Sequence, residues 1–93
     1  MVVGTLRLSL FLRGCHSLKE KRRVVLGLKD RIRARFNVSV AEVDANDSHQ
    51  RAEIGVAMVS NDPVHVTTVL HKLVDMARVV RDGELLSYDV EIL

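Results

Sequence analysis

Ala52-Glu53-Ile54-Gly55-Val56-Ala57-Met58-Val59-Ser60-Asn61-Asp62-Pro63 changes period partway along. Ala52, Ile54, Val56 and Met58 recur at every second position, which predicts a half-buried strand. Gly55 and Ala57 leave little side chain on the strand's other face. Asn61-Asp62-Pro63 then opens a helix, with Asn61 or Asp62 as N-cap and Pro63 in the first turn. Val66, Val69, Leu70, Leu73, Ala77 and Val80 continue as the helix's apolar stripe, and Gly83 is the expected stop.

The flanking segments extend the pattern. Upstream, Val38, Val40 and Val43 form a β-rich run that ends in Asn46-Asp47-Ser48, so this run and residues 52–58 predict a hairpin. Downstream, Leu86, Tyr88, Val90 and Ile92 alternate as a closing strand. The N-terminal half repeats the strand-then-helix order. Leu6, Leu8, Leu10 and Leu12 face one way, and Thr5, Arg7, Ser9, Phe11 and Arg13 the other, until Gly14. Ser17-Leu18-Lys19-Glu20 is a capping box: the serine oxygen accepts from the Glu20 N–H and the Glu20 carboxylate reaches back to the Ser17 N–H. The helix is expected to begin at Leu18 and end near residue 36, with Val25, Leu28, Ile32 and Phe36 on its buried face. The order βαββαβ is that of an α+β ferredoxin-like sandwich, one domain over residues 1–93. It predicts a four-stranded antiparallel sheet with both helices on one face and the other face open.

Composition narrows the class. Apolar residues make up 47% of the 93, enough for a core without disulfides or a structural metal. Cys15 is the only cysteine, so no internal disulfide can form. The apolar stretch Leu6–Leu12 is cut by Arg7 and has no basic region before it, unlike a secretory signal. No run approaches the ~18 apolar residues of a membrane span. The expectation is a cytoplasmic protein with no membrane partner.

A net charge of +2 conceals an asymmetry. Lys19, Lys21, Arg22, Arg23, Lys29, Arg31, Arg33 and Arg35 are opposed only by Glu20 and Asp30, a balance of +6, which leaves −4 for the rest of the chain. At 100° per residue Lys19, Arg22, Arg23 and Arg33 lie away from the apolar stripe, with Lys29 at its edge. Such a stripe is the footprint of a polyanion partner, although a solvated helix face gives the same pattern. RNA-reading sheets of this fold stack bases on aromatic side chains of the central strands. Here only Phe11 is available, so contact to phosphate rather than base reading is expected.

Groups able to do chemistry are sparse. Cys15-His16 precedes a helix N-terminus, where a thiol can be activated, but no third group orients the pair. Cys15, His16, His49 and Asp47 have no metal-ligand spacing, and His65 and His71 do not share a helix face. Glu42, Asp44 and Asp47 cluster at the hairpin tip. There they read as turn-forming and solubilising charges, some of them in reach of Arg7 and Arg51. Acylphosphatases share this fold and need a phosphate cradle after the first strand. Arg13-Gly14-Cys15-His16-Ser17 lacks the glycine-flanked form of that cradle, and Asn46 is the only asparagine near the required place. No catalytic residue, metal or cofactor is expected.

Ser17-Leu18-Lys19-Glu20-Lys21-Arg22-Arg23, the run from Arg35 to Asp44, Gln50-Arg51-Ala52 and Val59-Ser60-Asn61-Asp62 together resemble the YlxP-like bacterial proteins, a family of unknown function. The resemblance covers essentially the whole chain and implies a ferredoxin-like fold. It also implies ribosome or RNA work, because genes of that family often neighbour those of a translation initiation factor and ribosome-binding factor A. It supplies no catalytic residue. This sequence departs from the pattern at His49, where many relatives carry an aromatic residue, usually tryptophan, and Cys15-His16 is outside the pattern. The expected function is a small non-catalytic protein that associates with structured RNA or a ribosomal particle through Lys19, Arg22, Arg23, Lys29 and Arg33. The alternative is a protein-interaction or regulatory module that meets an acidic protein or forms a homodimer. Such a dimer would use the open sheet face, with Phe11, Ser39, Gly55, Ala57 and Ser87 at its centre.

Overall fold

A computed structural model describes residues 1–93. Strand β1 (Val2–Phe11) leads to helix α1 (Leu18–Arg35), strands β2 (Ser39–Asp44) and β3 (Arg51–Ser60), helix α2 (Pro63–Ala77) and strand β4 (Glu84–Ile92). The four strands form one antiparallel sheet in the order β2-β3-β1-β4. The fold is the ferredoxin-like βαββαβ sandwich that the alternating periods predict.

The core lies between the sheet and the helices. Leu6, Leu8, Leu10 and Leu12 from β1 and its end meet Ala52, Ile54, Val56 and Met58 of β3, under Val25, Leu28 and Ile32 of α1 and Val66, Leu70, Leu73 and Ala77 of α2. Gly4 of β1 is the point of closest approach, because a Cβ there would overlap Val66 Cγ1. Ser17 Oγ accepts from the Glu20 N–H at 3.1 Å, as the capping box requires. The return bond differs from expectation: the Glu20 carboxylate accepts from the His16 N–H at 2.8 Å rather than from Ser17. Asp62 caps α2, its Oδ1 accepting from the Val64 N–H at 2.9 Å, with Pro63 next in the chain.

Two boundaries fall elsewhere than the sequence pattern suggests. Helix α2 stops at Ala77, well before Gly83. The Val79 N–H turns back to the Met76 carbonyl, and Val80 is buried as a loop residue rather than as the last helical one. Asp82 takes the left-handed conformation (φ 51°) that reverses the chain. Gly83 serves close packing instead, since a Cβ there would lie 2.6 Å from the Phe11 carbonyl oxygen. In β4 the pairing with β1 slips between Ser9 and Leu10, so Leu85, not Leu86, stands opposite Leu10. The extra residue is a bulge, and Leu86 is left about half exposed at 47%.

Candidate nucleic-acid interface

Of the eight basic residues between Lys19 and Arg35, Lys21 is not part of any surface. Lys21, Val25, Leu28 and Ile32 share one helical row, and the Lys21 side chain is fully buried. Its Nζ lies 2.7 Å from Glu42 Oε2 and donates to the carbonyls of Ala45 (2.9 Å), Asn46 (3.3 Å) and Arg51 (3.4 Å). These acceptors compensate the desolvated ammonium and fasten the first turns of α1 to the β2–β3 connection. Glu42 is therefore an ion-pair partner under the helix and not a solubilising charge at the hairpin tip.

Arg33 is also engaged. Its Nη2 donates to the Val40 carbonyl at 3.2 Å and its Nη1 lies 3.7 Å from Asp30. It covers an unpaired carbonyl of the edge strand β2, and its flank of α1, shared with Arg22 and Lys29, faces that edge. Lys19, Arg22 and Arg23 are exposed and Lys29 is partly buried. None of these four, nor Arg31, has a carboxylate within 4.0 Å. Glu20 pairs with no cation; its carboxylate accepts from the His16 N–H. Arg31 is a free cation that the stripe reading left out; its position on the α2 side of α1 explains the omission.

The open sheet face has no stacking platform. Phe11 is its only aromatic residue, and Tyr88 stands opposite Leu8, which puts it on the helix side with the Arg78 guanidinium 5.7 Å from its ring. Arg7 lies 3.5 Å from Asp44 and 3.4 Å from Glu53, whereas Arg51 donates to Ser9 Oγ at 3.2 Å and pairs with no carboxylate. A shallow trough of about 570 Å³ is floored by Ala41, Val43, Gly55 and Ala57 and flanked by Arg7, Asp89 and Glu91. Val43 lies on this open face. The register slips between Glu42 and Asp44, and Val43 folds over Gly55, whose Cβ would lie 2.7 Å from it.

Three successive N–H groups of the loop after β1 are already engaged. The Gly14 N–H donates to Asp82, the Cys15 N–H to Leu12 and the His16 N–H to Glu20. Cys15 is buried, and its thiol pKa is raised by burial first and then by the Glu20 and Asp82 carboxylates, against a lowering by Lys21. This is the reverse of thiol activation. No hydrogen bond joins His16 to the thiol, and no three His, Cys, Asp or Glu side chains converge as metal ligands. No helix is long and apolar enough to cross a membrane.

The fold and its surface define a ferredoxin-like sandwich with one strongly basic helix. The chain belongs to a family described as "Protein of unknown function (DUF503)", whose model matches residues 3–90. It is 39% identical over 57 residues to the uncharacterized protein YlxP of Bacillus subtilis (strain 168), an alignment covering 61% of this chain and 62% of that protein. A C-terminal segment of the alpha subunit of aIF2 from Pyrococcus abyssi has a similar fold. Its TM-score is 0.53 at 16% identity, over 98% of this chain and 49% of that one.

Proposed function

We propose that this chain is a small non-catalytic cytoplasmic protein that binds structured RNA, free or within a ribosomal particle, through the solvent side of α1. One observation carries the reading: Lys19, Arg22, Arg23, Lys29 and Arg31 lie on one helix with no carboxylate within 4.0 Å. Cations left unpaired attract a polyanion. The Lys21–Glu42 lock ties the helix to the sheet, so the charges project from a fixed scaffold. With no aromatic platform, contact is to phosphate, which positions the protein without reading sequence. The spent N–H groups after β1 and the disfavoured Cys15 thiolate support a non-catalytic role.

The test is a filter-binding titration against structured RNA over several salt concentrations. About four neutralised phosphates give a slope of log K against log salt near −3. Arg22→Glu with Arg23→Glu lowers affinity at low salt about tenfold or more, alike for RNAs of different sequence. A wild-type protein without salt-sensitive binding overturns the reading.

A second reading is favoured by Leu26, which is 52% exposed on the same face. An apolar side chain among cations suits an acidic protein partner better than a phosphate backbone. Leu26→Ala that leaves RNA affinity unchanged but abolishes capture of one acidic protein selects this reading.

A further inference from the structure

The facing flanks of α1 and α2 form a seam on the helix side, along which Val24, Val69 and Met76 are partly buried against the core. A crevice opens at each end. One is lined by Glu20, Arg23 and Val24 with Arg81 and Asp82; the other by Arg35 and Phe36 with His65 and Val69. Val24 and Arg35 therefore lie on the flank of α1 turned toward α2, and helical spacing puts Arg31 between them. His65 and Val69 mark the facing flank of α2, and Lys72 continues it one turn on. Neither Arg31, Arg35 nor Lys72 has a carboxylate within 4.0 Å, and Asp82 is taken by Arg81 at 3.8 Å.

Arg23, Gly27, Arg31 and Arg35 follow one another at every fourth residue, a row with about 6 Å between members. Gly27 is the odd member. A Cβ there meets nothing within 4 Å, and its backbone is not left-handed. Glycine inside a helix is unfavourable relative to alanine, and neither packing nor conformation in this fold asks for it. The missing side chain opens a notch in an otherwise basic row, where a bulky ligand reaches the helix backbone.

We propose that this seam is a phosphate track. An RNA strand lies along the outside of the seam, with its phosphates against Arg23, Arg31 and Arg35 on one side and Lys72 on the other, and it sits closest to α1 over the Gly27 notch. The proposal rests on the RNA reading above and names the path the strand takes. Charge complementarity selects this occupant, since the seam presents Arg23, Arg31, Arg35 and Lys72 against Glu20, which pairs with no cation.

The experiment uses the full chain and a labelled RNA hairpin with a single-stranded tail. Gly27→Leu fills the notch without changing charge, and Lys72→Glu reverses the α2 side. Both variants are expected to denature no earlier than wild type, or nearly so, and to bind about five- to tenfold more weakly near 0.1 M salt. If both bind like wild type while Arg22→Glu with Arg23→Glu loses binding, the track is wrong and the RNA reading stands. If wild type shows no salt-sensitive binding, both fall.

Discussion

Lys21 is the residue whose removal is felt most. Lys21→Ala leaves Glu42 and the carbonyls of Ala45, Asn46 and Arg51 without this donor, and a buried charge without its partner costs about 3–5 kcal/mol. The midpoint of urea denaturation measures this; a loss under about 1 kcal/mol refutes the lock. Replacing the pair together, Lys21→Met with Glu42→Leu, is expected to recover most of the stability, because an apolar pair of similar volume needs no compensation. Ser17→Ala, which removes the bond to the Glu20 N–H, costs about 1 kcal/mol by the same measurement. Cys15 carries a pH signature. Its thiol pKa is raised by burial and by Glu20 and Asp82. Its contribution to stability is therefore full below the unfolded thiol's range, about 8.5, and is lost as pH climbs through the higher folded value. Cys15→Ala is expected to flatten that alkaline decline in denaturation scans and to leave RNA binding at neutral pH unchanged. A folded variant that has lost binding would contradict the non-catalytic reading.

Among the elements, α1 combines two roles that a helical wheel shows as one. Its apolar row holds it to the sheet through Val25, Leu28, Ile32 and the buried Lys21, while its other basic residues are spread over the remaining circumference with Glu20, Leu26 and Asp30 among them. Gly27→Ala isolates the cost of the notch: with open space at the Cβ, it is expected to stabilise the protein by about 0.5–1 kcal/mol. A drop in stability would mean that the glycine has a packing role. At Gly4 the sign reverses. Alanine there drives into Val66 of α2, and overpacking is expected to cost about 1–3 kcal/mol. Arg22→Glu with Arg23→Glu moves stability by only about half a kcal/mol, as surface changes do, so its effect on RNA affinity is readable.

Across the whole molecule, charge is separated between the two layers. The helix side holds the unpaired cations other than Arg51. The open sheet face sets Asp44, Glu53, Asp89 and Glu91 against Arg7 and Arg51, a balance of −2, with Arg13 and Glu84 pairing at 3.5 Å. Phe11, Ser39, Gly55, Ala57 and Ser87 do share that face, but two copies packed on it would gather −4 between them. We predict a monomer at low salt by sedimentation velocity, with any sheet-face association strengthening as salt is added. Ala57→Arg leaves the low-salt mass unchanged. A low-salt dimer that Ala57→Arg splits would overturn the charge argument. The surface of 5557 Å² matches the roughly 5,400 Å² expected of a folded chain of this mass.

The order of elements, the two N-caps and nearly every core position were written in the sequence, because period, capping chemistry and burial are local and repeat along the chain. The same holds for the strands' two faces, where alternation assigned Leu6, Leu8 and Leu10 inward and Arg7 and Ser9 outward. The legible part of the candidate site was its charge: Lys19, Arg22, Arg23 and Lys29 emerge as free cations on the exposed side of α1. The i, i+4, i+7, i+11 row of Lys21, Val25, Leu28 and Ile32 was also on the page, yet only the fold shows why a lysine belongs there. Its partners, Glu42 and the carbonyls of residues 45, 46 and 51, are brought to it by a hairpin more than twenty residues away. Tertiary structure alone decided that Arg33 also donates to the edge of β2, that α2 stops at Ala77, and that bulges re-aim Val43 and Leu85. It also brought Arg31, Arg35 and Lys72 to one seam. Each depends on which element lies alongside, and chain distance carries no information about that.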